Sequence, residues 1–337
     1  MSESKDLKER LTALGLSNDA IDAVWPAWWS EQAEDSASAQ AELRFGISRR
    51  LGLDPRSLLG ADDEPRFLWG DEEVRFKHLS NQTEIERSGI SAFGRAVAAT
   101  VLAATPHDAE VGPLQAPVLR EAILASGRPY VDLSSLLALC WGIGIAVIHL
   151  RVFPWPQKRM SAMTVRVGDR WAVLLARDAE YPAPIAFYLA HELGHIGLGH
   201  LNAGETIVDF EREDESLRVE DAEESAADRF ALDLLTGRPD LEVRAAEASA
   251  AASPSGLANV ALQEAEQLQI EPGTLALCFG FSTEDWRTAN GALKAIYRQA
   301  APVWEQVNRV AMSQLSLEEV PADSAHFLHG VLGAPLK

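Results

Sequence analysis

The sequence predicts an α+β protein: a small β-sheet packed on a pair of helices, with helical regions on both sides. Three observations carry this reading. Short β-branched runs cluster mid-chain, at Ile145–Val152, Thr164–Val167 and Trp171–Ala176. Long stretches before and after them repeat apolar residues at helical spacing. Glycines and prolines fall between the runs rather than inside them. With 337 residues, 47% of them hydrophobic and 24% charged, the chain can bury a core without disulfides.

Residues 1 to about 90 read as helical and polar. Asp19–Trp29 is a short helix or turn carrying Trp25, Trp28 and Trp29. In Ala41–Leu59, Leu43, Ile47 and Leu51 share one face, Gly52 closes a first helix and Asp54-Pro55 opens a second. This pattern is that of a degenerate helix-turn-helix. Two helices follow over 90 to 126, split by Pro106, Pro113 and Pro117. The apolar run Leu133–Leu150 has about the length of a membrane span, but Gly142 and Gly144 divide it. It is read as a buried helix to about Trp141 and then a strand. Gly168-Asp169-Arg170 joins the next two strands as a hairpin. Glu205–Glu224 holds ten acidic residues and two arginines and reads as a solvated loop. Helices are expected from about Val219 to Thr236, over Glu242–Ala252, and from Gly256 to about Ser313. The expected regions are 1–90 (helical), 91–240 (α+β) and 241–337 (helical).

Charge and cysteine content narrow the function. With 50 acidic and 30 basic residues, the formal net charge is -20. Such a chain repels a polyanion, which argues against nucleic acid as the main partner. Cys140 and Cys278 are the only cysteines, too few for a disulfide framework or a thiolate cluster. The charged segment Met1–Arg10 lacks an apolar leader core. The expected setting is a reducing, cytoplasmic compartment with no membrane partner.

The chemistry concentrates in His191-Glu192-Leu193-Gly194-His195. Residues four apart share a helix face, so His191 and His195 can offer two imidazole nitrogens to one tetrahedral zinc. Glu192 lies one step round, placed to take a proton from a water without ligating the metal. A third ligand is needed. His200 is one candidate; nine steps put it on the far face unless Gly197 and Gly199 end the helix and let it return. Glu224 is the stronger candidate. It shares a side of the next helix with Asp228, beside the small residues Ala226 and Ala227, and Asp228 can accept the free ring N–H of a ligand histidine. Glu220 and Glu223 are rivals without that pairing; an acidic first helical turn accounts for both.

With these two segments, "FYLAHELGH" and "ESAADRFALDLL", the chain resembles the ImmA/IrrE family of cytoplasmic zinc metallopeptidases. The likeness runs from about 130 to 237; Asp228 stands where Asn is frequent. Residues 265–281 resemble the family's trailing helix-turn-helix-like segment. The resemblance implies a zincin-like core, with His191, His195 and Glu224 as zinc ligands, Glu192 as general base and Asp228 behind a ligand. It further implies a protein substrate, a small helix-turn-helix repressor in a phage, mobile-element or stress-response circuit. By strand addition the substrate is expected along Trp171–Ala176 or Thr164–Val167. Tyr181, Tyr188 and His149 are candidates for oxyanion stabilisation. Two other classes stay open: a regulatory binding protein with an inactive site, and a DNA-binding regulator acting through 41–60.

Overall fold

The computed structural model describes residues 3–60, 64–68, 74–77, 83–106, 111–157, 160–202, 204–210, 221–240 and 253–334. Among them are fourteen α-helices and one five-stranded mixed sheet, an α+β fold. The expected helix over Glu242–Ala252 lies outside the described residues.

The N-terminal helices are α1 (Glu3–Ala13), α2 (Asn18–Val24), α3 (Ala37–Leu51) and α4 (Pro55–Leu59). Gly52 ends α3 with φ 70°, and Asp54 caps α4 with Pro55 in its first turn. Strand β1 (Val74–Lys77) and helices α5 (Glu84–Ala103), α6 (Ala116–Ala125) and α7 (Leu133–Gly142) follow. Next come β2 (Ile145–His149), β3 (Met160–Val167) and β4 (Arg170–Leu175). The run from 133 to 150 is therefore split between helix and strand, as its glycines demand. Among the described residues, no helix is long and apolar enough to cross a membrane. Gly168 takes φ 61° at the first position of the β3–β4 turn, a conformation open to glycine.

The metal-motif helix α8 (Pro182–Gly197), strand β5 (Thr206–Phe210) and helix α9 (Ala222–Thr236) come next. Gly237 closes α9 with φ 72°. The tail holds α10 (Pro254–Leu268), α11 (Pro272–Thr283), α12 (Trp286–Tyr297), α13 (Val303–Gln314) and α14 (Ala322–Leu332).

The sheet order is β1-β5-β3-β4-β2. Strand β3 is antiparallel to both neighbours, while β2–β4 and β1–β5 are parallel. Both faces are covered, so the strands are apolar on both sides. Ala146, Ile148, Met163, Val165, Leu174 and Val208 point into one core with the N-terminal helices, α5 and α14. Ile145, Val147, Val173, Leu175 and Ile207 point into the other, with α6 to α9 and α13. Residues from the two ends of the chain thus share one core.

Two sequence expectations need correction. The first is that the N-terminal 90 residues and the acidic run hold no strands. Both β1 and β5 are strands, and buried Arg95 of α5 fixes the start of β5 by donating to Thr206 Oγ1 (2.9 Å) and the Gly204 carbonyl (2.6 Å). The second is that a peptide adds to β3 or β4. Both lie inside the sheet, because β5 covers the outer side of β3 and β2 that of β4. Their backbone groups are already paired.

Helices α8 and α9 lie against the same sheet face and approach closely. A Cβ on Gly194 would sit 3.0 Å from Ala227 Cα and 3.1 Å from its carbonyl oxygen. Arg120 of α6 ties down the far end of α9, donating to the carbonyls of Leu235 (2.9 Å) and Gln269 (2.7 Å). Enlarging this contact has a defined cost. Ala227→Leu should destabilise the fold by about 1–3 kcal/mol through overpacking. A denaturant midpoint equal to that of wild type would show that the two helices can part freely.

A buried candidate metal centre

Helix α8 presents His191, Glu192 and His195 to the interior; their exposures are 4%, 0% and 0%. Helix α9 brings Glu224, 4% exposed, from its first turn. The ligand atoms of His191, His195 and Glu224 all lie within 4.8 Å of one another. His191 Nε2 is 3.4 Å from Glu224 Oε2, and His195 Nε2 is 3.4 Å from Glu224 Oε1. The two Nε2 atoms are 3.0 Å apart. A tetrahedral ion with bonds of about 2.0–2.1 Å needs donors about 3.4 Å apart, so this group fits a metal ion of zinc's size. Among the described residues it is the only such group.

Each ligand histidine is oriented through its other nitrogen. His191 Nδ1 is 2.8 Å from Asp228 Oδ1, the pairing read from the sequence. His195 Nδ1 is 2.9 Å from His200 Nδ1. His200 therefore does return to the site, across a turn in which Gly199 takes φ 70°. It arrives behind His195, outside the His191, His195 and Glu224 group. Burial lowers its pKa, which suits a neutral ring accepting the His195 N–H.

Glu192 is held differently. Thr164 Oγ1 on β3 donates to Glu192 Oε2 at 2.5 Å. Glu192 Oε1 is buried and has no hydrogen-bond partner among the described residues. Burial pushes its pKa up to about 8, with nearby Asp209 adding to the rise and His191 opposing it.

Three residues of this site escaped the sequence reading: Thr164, Asp209 and Lys77. Lys77 of β1 lies opposite Asp209 of β5, both on the α8–α9 side of the sheet. Its Nζ is 2.6 Å from Asp221 Oδ2, 3.0 Å from Glu223 Oε2 and 3.6 Å from Glu224 Oε1. Burial opposes the ammonium charge, but the hydrogen bonds to Asp221 and Glu223 outweigh it and raise the pKa. Glu223, a rival third ligand, is thus engaged by Lys77 and Arg75 outside the ligand group. Glu220 lies outside the described residues.

The three oxyanion candidates separate. The His149 ring nitrogens face the carbonyls of Leu150 (3.1 Å) and Arg177 (2.9 Å). Tyr181 stacks on Tyr297, with centroids 5.5 Å apart. Tyr188 alone lines the cavity that His191 opens onto. Cys140 and Cys278 are buried free thiols, each pushed up to about 12 by burial, so neither offers a thiolate.

Protons and metal compete here. Burial disfavours a charged His191, yet its hydrogen bonds to Asp228 and Glu224 hold its pKa well above 6.5. Burial and the charge on His191 lower the pKa of His195 to about 3. His191 thus favours its protonated form in the metal-free site, and a bound metal would displace a proton from it. Affinity should weaken about tenfold per pH unit on acidification below the His191 pKa, read by chelator competition. By elemental analysis, wild type should hold about one zinc and Glu224→Ala far less. Asp228→Ala and His200→Ala should keep the stoichiometry while affinity falls about 10–100-fold. Full zinc in Glu224→Ala would remove Glu224 from the ligand set.

No protein-family model, curated protein or solved structure matches this chain.

Proposed function

We propose that the chain is a zinc-dependent endopeptidase with a zincin-like core. One observation supports this above the rest: two histidines and a glutamate converge on one buried point beside a carboxylate, Glu192, that is not needed as a ligand. The ImmA/IrrE resemblance points the same way and suggests the substrate class, a small helix-turn-helix repressor. Buried free thiols fit a reducing, cytoplasmic setting.

His191, His195 and Glu224 would hold the metal. Bound there, zinc supplies a Lewis acid that lowers the pKa of a water toward about 7 and polarises a carbonyl. Glu192 would take a proton from the attacking water, the bound metal's charge opposing the rise that burial gives its pKa, and would later pass that proton to the leaving amine. Oε1 is the atom for this task, because Thr164 occupies Oε2. Thr164 also fixes the carboxylate plane, so the base meets the substrate in one orientation. The peptide reaches the site through the cavity bounded by His191, Tyr188 and Asp209, since the neighbouring strands β3 and β4 are fully paired.

Glu192→Gln keeps the side chain's size and removes its basicity. Zinc content and folding should stay near wild type, while cleavage of a partner repressor falls about 10²–10⁴-fold. Thr164→Val should lower the rate about 10–100-fold, the worth of one hydrogen bond to a charged group. The measurement is partner intactness on a gel beside a repression readout. Repression relieved equally by wild type and Glu192→Gln, with no fragment from either, would establish the regulatory binding protein instead.

A further inference from the structure

His191, one of the three candidate ligands, opens onto a cavity of about 370 Å³ that Asp209 and Asp228 also border. Beside the polar Ser161, Arg177 and Asn290, its lining holds apolar residues from two distant parts of the chain. Helix α8 gives Pro184 and Phe187; α11 and α12 give Leu277, Phe281 and Trp286. The rings form an unbroken row. Phe187 lies 6.5 Å from His191 and 5.6 Å from Phe281, and Phe281 lies 4.7 Å from Trp286. A Cβ on Gly280 would sit 2.9 Å from the Trp286 ring and 3.0 Å from Ala289 Cβ, so α11 and α12 hold these rings in place. Yet Phe281 is 52% exposed. A large aromatic left open in a concave site, in line with a metal ligand, is apolar surface suited to a ligand.

Charge selects among occupants. Asp209 and Asp228 would suit a cation, but Asp228 is engaged by His191. The same wall already holds a cation. Arg177 donates to Tyr188 Oη at 2.6 Å, with its guanidinium 5.2 Å from that ring's centroid. The aromatic row is the apolar part left to be covered, beside the uncharged Ser161 and Asn290. We propose that this cavity is the specificity pocket of the site and takes a bulky aromatic or aliphatic side chain of the substrate, from a residue flanking the scissile bond. This rests on the peptidase reading. It makes the C-terminal helices part of the substrate site.

The test uses full-length protein and two probe series. Phenylalanine, alanine and arginine hydroxamates share a zinc-binding group and differ in side chain; their dissociation constants are read by calorimetry on zinc-loaded protein. N-acetylphenylalaninamide and N-acetylargininamide carry no such group. Their contact is read from the Trp286 indole N–H resonance, assigned with Trp286→Phe, in zinc-free and zinc-loaded protein. Phenylalanine hydroxamate should bind about 10–100-fold tighter than alanine hydroxamate, the worth of burying one large apolar side chain. Phe281→Ser should narrow that preference to about threefold, and Phe281→Leu should keep most of it. The phenylalanine amide, not the arginine amide, should shift the Trp286 resonance with or without zinc.

Equal binding of phenylalanine and alanine hydroxamates with no Trp286 shift would overturn the pocket and leave the metal site standing. Preference for the arginine probes would overturn the apolar assignment in favour of a cationic side chain. A Trp286 shift by the phenylalanine amide, with no hydroxamate binding more tightly than its amide, would support the pocket and overturn the open metal site.

Discussion

The closeness of α8 and α9 at Gly194 and Ala227 is the constraint on which the site depends. The ligands come from segments about thirty residues apart, and no local signal in either fixes the distance between them. Backbone-to-backbone contact does. Gly194 leaves no room for a side chain against Ala227, and this sets the spacing at which Glu224 meets His191 and His195. Asp228, one turn along from Glu224, then falls on the outer nitrogen of His191. The sheet serves the same end: its face presents Ile207 to the apolar side of α8 and Thr164 to Glu192.

Such a site gathers charge in a dry interior, where an uncompensated ion costs several kcal/mol. Compensation comes from several elements at once. Lys77 faces the acidic start of α9, whose helix dipole also favours carboxylates there. The His191 ring lies between Asp228, at Nδ1, and Glu224, at Nε2. The short strand β1 is thus placed by charge as much as by backbone pairing, since Arg75 and Lys77 both reach α9 residues from it.

What the sequence revealed follows from which signals are local. Helical periodicity located α8 and α9, and glycine stops at Gly52 and Gly237 closed α3 and α9 where expected. The four-residue spacings of His191 with His195 and Glu224 with Asp228 carried most of the site. The β1 and β5 strands were hidden because four or five residues interrupted by Arg75, Lys77 or Asp209 look like polar loop. Only long-range pairing makes them strands. Thr164, Asp209 and Lys77 were hidden for a related reason: alternation tells which residues share a face, but not which face meets α8. Helix arithmetic put His200 on the far face because it counts positions along an unbroken helix, whereas Gly199 turns the chain and brings His200 back to His195. The edge chosen for strand addition failed once β5, read as loop, covered β3.

Lys77 gives the metal-free protein a property that many small zinc domains lack. In those domains the ligands repel or scatter without the ion, and folding waits for it. Here an ammonium group and an imidazole proton stand close to the positive charge the ion would bring, within a core that buries Leu189, Leu193 and Leu234 without any help from metal. In the proposed site, loading and unloading would then be an exchange among cations inside an already built cage. On the proposed reading, the supply of the ion would govern chemistry more than folding.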